Sequence, residues 1–171
     1  MNKMIIVRRA TRHDLAEILA VQENAYAAPL VEDARIFQDI LEYSMSYVAV
    51  TGDGDGEKIV GFVLGHPSTL NQIHLLHQIV VPVFEKDVYF IHDLSVLEEY
   101  RGAGVGSLLA QRFIRDACVA GGEVIIQCIS VNGSERFWRK QGFEVTAGVV
   151  LSPLVKECYG GGDCVHMSAY T

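Results

Sequence analysis

The stretch IHDLSVLEEYRGAGVGSLL, Ile91 to Leu109, decides the reading of this chain. It begins inside an apolar strand, Val88 to Val96, crosses an acidic turn, Leu97-Glu98-Glu99-Tyr100, and runs through Arg101-Gly102-Ala103-Gly104-Val105-Gly106 into a helical pattern. A strand, a glycine-rich turn and a helix start together make an anion site. The first N–H groups of a helix lack partners, and the helix dipole favours negative charge beside them. Glycines let the backbone turn sharply and let a phosphate approach with no Cβ in the way. The loop is therefore expected to hold the pyrophosphate of a nucleotide-like cofactor.

Outward from this stretch the pattern alternates between strands and helices. Met4 to Arg8 reads as a short strand. Thr11 and Asp14 resemble a capping box ahead of a helix over 12–23, and a second helix is expected over 31–43. Ser46 to Thr51 and Lys58 to Gly65 read as a hairpin around the turn Gly52-Asp53-Gly54-Asp55-Gly56. That turn contains D-x-D without the rest of a calcium loop, so a plain hairpin is expected. The apolar segment Leu70 to Val81 has three readings: an extra strand, a flap over the substrate, or the contact of a homodimer. After the glycine loop, a helix over 104–120 turns Leu108, Leu109, Phe113, Ile114 and Ala117 inward and stops at Gly121-Gly122. A buried strand, Glu123 to Ser130, a short helix over 132–141, a strand over 143–151, a loop over 153–162 and a last strand, Cys164 to Tyr170, complete the chain. No repeat or linker interrupts it, so residues 1–171 read as one α/β domain with a mixed sheet.

Composition narrows the function. Hydrophobic residues make up 50% of the chain, which suits a well-buried sheet. The net charge of -7 with no Lys/Arg cluster argues against nucleic acid as a partner. No apolar run is long enough to span a membrane and no signal peptide is evident, so a cytoplasmic protein is expected. Cys118, Cys128, Cys158 and Cys164 form no C-x-x-C pair and read as structural thiols. His74-x-x-His77 lacks a third ligand nearby, so no metal is expected.

Counting the glycines separates the possible cofactors. A P-loop needs a lysine that is missing before Ser107, and a dinucleotide G-x-G-x-x-G would need glycine where Ser107 stands. What remains is R-x-x-G-x-G, met by Arg101, Gly104 and Gly106. With LSVLEEYRGAGVG and the later FWRKQGF, Phe137 to Phe143, the chain resembles the GNAT superfamily of N-acetyltransferases over nearly its whole length. The resemblance implies an α/β (α+β) fold with a mixed, mostly antiparallel sheet of about seven strands and about four helices.

It further implies acetyl-CoA as cosubstrate, with the backbone of Arg101, Gly102, Ala103, Gly104, Val105, Gly106 and Ser107 around the pyrophosphate. Leu94, Ser95 and Val96 would run beside the pantetheine arm, where their strand splays from Val124 to Ile129. A main-chain N–H near Val96 would hold the oxyanion. Asn132, Ser134, Phe137 and Trp138 would flank the arm, with Asn132 one position off the family's commonest spacing.

Attack on a thioester needs a neutral amine, hence a base near the splayed strand. His92 and Asp93 are the candidates, and strand alternation sends them to opposite faces. Some family members pair this histidine with a second one, at the position of Phe90 here. The family's usual tyrosine acid falls at Trp138, whose indole N–H only donates. Tyr159 and Tyr170 are the candidate substitutes. The expected activity is acetyl transfer to a primary amine, small-molecule or peptide, in a ternary complex. The alternative is an acetyl-CoA-binding sensor without turnover.

Overall fold

Hydrophobic residues occupy consecutive strand positions here, rather than every second one, because both faces of the sheet are covered. The computed structural model describes residues 4–43, 45–52, 56–80 and 87–171. Strand β1 is Ile5–Arg9, β2 Tyr47–Thr51, β3 Lys58–Pro67, β4 Val88–Val96, β5 Ile125–Ser130, β6 Glu144–Val145 and β7 Val165–Tyr170. The helices are α1 Leu15–Ala25, α2 Ala34–Leu41, α3 Val105–Gly121, α4 Glu135–Lys140 and α5 Pro153–Cys158. The seven strands lie in the order β1-β2-β3-β4-β5-β7-β6. All neighbours are antiparallel except β4 and β5. The sheet is thus mixed and mostly antiparallel, as the resemblance implies.

Strand β2 shows how the two faces are served. It is buried along its whole length. Tyr47 and Ala49 pack with Leu109, Phe113 and Ala117 of α3, while Val48 and Val50 pack with Ile18, Phe37 and Ile40 of α1 and α2. Leu108, expected inward, is 45% exposed. The Thr11–Asp14 pair forms, and the Asp14 carboxylate accepts the Thr11 N–H at 2.7 Å. It closes a 3-10 turn, Arg12–Asp14, that leads into α1.

Three expectations change. Helix α5 stands where a loop is predicted. Ser152 caps it by accepting the Val155 N–H at 3.3 Å, and Pro153 occupies its first turn. The strand predicted over 143–151 shrinks to two residues, paired to Ser168 and Met167. Of the 70–81 segment, residues 70–80 form no strand; residue 81, with 82–86, lies outside the described residues, as do residues 53–55 of the hairpin turn.

Two irregularities position the site. Between β3 and β4, Leu64 faces Asp93 and Gly65 faces Ile91, so His92 is an extra residue with no partner across the ladder. This is a β-bulge. It is crowded from behind, since a Cβ on Gly65 would lie 2.2 Å from the Phe113 ring and 2.9 Å from the Phe90 carbonyl oxygen. The second irregularity is the parallel pair. β5 follows β4 from Val88–Ile125 to Ile91–Cys128 and then leaves it, although both strands continue, to Val96 and Ser130.

Candidate active site

Where β4 and β5 part, β4 keeps a row of main-chain groups with no strand beside them. The Leu97 N–H donates to the Val60 carbonyl on β3 at 2.9 Å. Alternation along β4 therefore points the N–H groups of Leu94 and Val96 the other way, into the gap. The Val96 carbonyl on that side accepts from Arg101 Nε at 3.1 Å. A cavity of about 850 Å³ occupies the gap and extends to the glycine loop.

The loop owes its shape to its glycines. Gly102 and Gly104 adopt φ of +77° and +85°, and a Cβ at either would meet nothing within 4 Å. Gly104 is also the N-cap of α3. The first helical acceptor is used by Leu108, which donates to Gly104 at 3.0 Å, so the N–H groups of Val105, Gly106 and Ser107 have no partner within the helix. Gly106 lies close to α4, since a Cβ there would sit 3.3 Å from the Phe137 ring. In the same loop the Arg101 N–H donates to the Glu98 carbonyl at 3.1 Å and the Ala103 N–H to Tyr100 at 3.4 Å.

At the bulge, His92 and Asp93 both turn toward α1 and α2, correcting the expectation of opposite faces. His92 Nε2 lies 2.6 Å from Glu32 Oε2, and the two side chains are 1% and 2% exposed. Glu32 comes from the α1–α2 connection. Its Oε1 accepts the His77 N–H at 2.8 Å, and its backbone bonds the Gln22 side chain through both N–H and carbonyl. Burial pushes the Glu32 carboxyl up, but the hydrogen bonds from His92 and His77 outweigh it and leave it below the ordinary range. An ionised carboxylate only accepts, so Nε2 carries a proton, and Nδ1 is the nitrogen that bears the lone pair in the ring's neutral form. Nδ1 is buried and has no hydrogen-bond partner among the described residues. Such an atom calls for a functional explanation.

Asp93 is held on the same wall. Its Oδ1 accepts the Tyr26 hydroxyl at 2.9 Å and the Ser95 hydroxyl at 3.0 Å. Loss of bulk water raises its carboxyl to about 6, against the pull of those two donors and of His92. Tyr26 is itself raised well above the usual phenol, first by burial and then by the Asp93 charge.

Nearly all residues singled out from the sequence line the one cavity. His92, Asp93, Leu94, Ser95 and Val96 form its β4 wall; Arg101, Gly102, Gly104, Val105, Gly106 and Ser107 its loop end; and Asn132, Ser134, Phe137 and Trp138 its α4 side. Ala103 is not among the lining residues. Trp138 is buried, edge-on to Phe137 and Phe143. Tyr159 lines the cavity and its hydroxyl donates to the His74 carbonyl, whereas Tyr170 is 69% exposed at the end of β7. His74 and His77 do not converge, as their Nε2 atoms meet Ser68 and the Pro29 carbonyl.

Glu32 and Tyr26 escape the sequence reading. Both sit in an irregular connection far from β4 in the chain. The only signal was the acidic pair Glu32-Asp33 at the end of the apolar stretch Ala28-Pro29-Leu30-Val31.

The family model described as "Acetyltransferase (GNAT) family" matches residues 12–143. Solved structures of similar fold include the loading GNATL domain of CurA from Lyngbya majuscula, 14% identical, covering 97% of each chain with a TM-score of 0.76. Ard1 from Thermoplasma volcanium is 16% identical over 98% of this chain and 97% of its own, with a TM-score of 0.72. The YhbS acetyltransferase from Escherichia coli, solved with CoA, is 16% identical over 99% of this chain and 83% of its own, with a TM-score of 0.71. No curated protein sequence matches. Among the described residues, no helix is long and apolar enough to cross a membrane.

Proposed function

The chain belongs to the acetyltransferase (GNAT) family, and on that premise we propose that it moves an acetyl group from acetyl-CoA to a primary amine by direct attack in a ternary complex. The observation that carries this reading is the gap between β4 and β5. It joins a phosphate-type helix N-terminus to a carboxylate–histidine pair through one cavity. The residues present suit acetyl-CoA: free N–H groups at the start of α3, cationic Arg101, Arg136 and Lys140 along the walls, and main-chain donors on β4. We read residues 1–171 as one domain serving this site.

Acetyl-CoA, when bound, supplies an acyl group activated as a thioester. The Val96 N–H is the donor suited to the carbonyl oxygen as negative charge develops there. His92 Nδ1, being buried, takes a proton from the attacking ammonium through a water. The nitrogen lone pair so freed forms the new N–C bond, the C–S bond breaks with its electron pair left on sulfur, and the second proton the nitrogen sheds passes through water to that sulfur. Glu32 fixes the tautomer of His92 and stabilises the imidazolium once formed, as a carboxylate does behind any histidine base. Asp93 holds Tyr26 and Ser95 in place on the same wall. Trp138 packs beside the arm and donates no proton to the leaving thiolate.

Thiol release from acetyl-CoA tests this reading across polyamines, arylalkylamines, amino acids, aminoglycosides and peptides. Acceptor-dependent release is expected from at least one class. Trp138, standing where the family usually has tyrosine, favours a second reading, an acetyl-CoA-binding module without turnover. Calorimetric binding of CoA with no thiol release from any acceptor would establish that reading instead.

A further inference from the structure

The cavity is sorted by charge along its length. Its lysine and arginine residues, Arg101, Arg136 and Lys140, belong to the glycine loop and α4. Its carboxylates, Glu32 and Asp93, lie together at the bulge end; of the three cations only Arg101 reaches toward them, its Nε on the Val96 carbonyl at 3.1 Å and its charge felt at Tyr26. Around them the walls are uncharged and largely apolar: Ala25, Leu30, Leu76 and Tyr159. His92 lines this end with its Nδ1 buried and unpartnered.

The same end is roofed. His77 donates its N–H to Glu32 at 2.8 Å, and its Nε2 lies 2.8 Å from the Pro29 carbonyl. The Tyr159 hydroxyl donates to the His74 carbonyl. These bonds tie the 69–80 loop to the α1–α2 connection on one side and to the end of α5 on the other. An extended polypeptide needs an open groove for its chain, and this roof closes one side of it. An acceptor carrying its own carboxylate would set it against Glu32 and Asp93, with Arg101 already engaged by the Val96 carbonyl, and like charges so placed oppose binding strongly.

We propose that the acceptor is a small primary amine with a compact apolar body and no carboxylate, its nitrogen received between His92 and Asp93. This rests on the acetyl-transfer reading of the same cavity. Leu30, Leu76 and Tyr159 cover the body of the amine, and the two carboxylates favour its approach as a cation.

The test uses the wild-type protein with a matched pair, phenethylamine and phenylalanine, and a short peptide with a free N-terminus. Each is measured by thiol release from acetyl-CoA and by calorimetry on the protein–CoA complex. Phenethylamine is expected to exceed the other two by about tenfold or more in kcat/KM and in affinity. Equal or better use of phenylalanine or the peptide overturns the acceptor assignment and leaves acetyl transfer standing. Preferential binding of phenethylamine with no thiol release from any acceptor supports the acceptor site and overturns acetyl transfer. Failure of phenethylamine to bind the complex overturns the assignment.

Discussion

Glu32 and His92 stand sixty positions apart in the chain and 2.6 Å apart in the fold. Their bond decides which nitrogen of the imidazole is free, so in the proposed reaction Glu32 acts through His92, as a positioning residue. Replacing Glu32 by Gln should lower kcat by about 10²–10⁴-fold, the scale seen when a histidine base loses its orienting carboxylate. The KM for acetyl-CoA should stay near its original value, a split that initial-rate kinetics reads directly; a merely structural role would move both.

Asp93 makes a prediction of different sign. Its folded carboxyl is raised to about 6, above the ordinary value of about 3.9. Its stabilising contribution is therefore fully present below the ordinary value and is lost as pH rises through 6. Asp93→Asn removes the enclosed charge, so the variant should gain on the order of 1–2 kcal/mol relative to wild type between pH 5 and pH 8. Urea unfolding at the two pH values measures it, and an equal difference at both would contradict the assignment.

At the scale of elements, the bulge does what regular strand geometry cannot. Two consecutive side chains, His92 and Asp93, serve the same wall only because the ladder skips one partner. Sequence alternation alone sends them to opposite faces, and nothing in IHDLSV announces the extra residue. The space behind the bulge requires Gly65, since any Cβ there would overlap Phe113. Gly65→Ala should cost about 1–3 kcal/mol by overpacking, read as a lower urea midpoint.

Other elements were legible to different degrees for physical reasons. The glycine loop was plain because its conformation demands particular residues at fixed positions. The buried strands β2 to β5 were plain because they are continuously apolar. α5 was missed because six residues, Pro153–Cys158, are too few to show a period, although Ser152-Pro153 is a helix-start signal. β6 was overextended because Glu144–Val145 is all that pairs. The segment Leu70 to Val81 left three readings open because Leu76, which lines the cavity, and its described apolar neighbours follow no period.

For the whole molecule, the proposed binding of acetyl-CoA in the split sheet would make the cosubstrate part of the architecture. The widened half of the β4–β5 pair has main-chain groups that no strand satisfies, so acetyl-CoA should stabilise the fold in proportion to its affinity. At a concentration of 100 times Kd the gain is about 2.7 kcal/mol, or a rise in Tm of roughly 5–10 °C for a chain of this size. Thermal unfolding with and without acetyl-CoA measures it.

The central claim joins both ends of the cavity: acetyl-CoA bound along β4 is discharged to an amine whose proton goes to His92. The most direct measurement compares kcat for thiol release in wild type and His92→Gln, together with the Kd of each for acetyl-CoA. The account predicts that kcat falls by about 10²–10⁴-fold while the acetyl-CoA Kd is unchanged. An unaltered kcat in His92→Gln would contradict it.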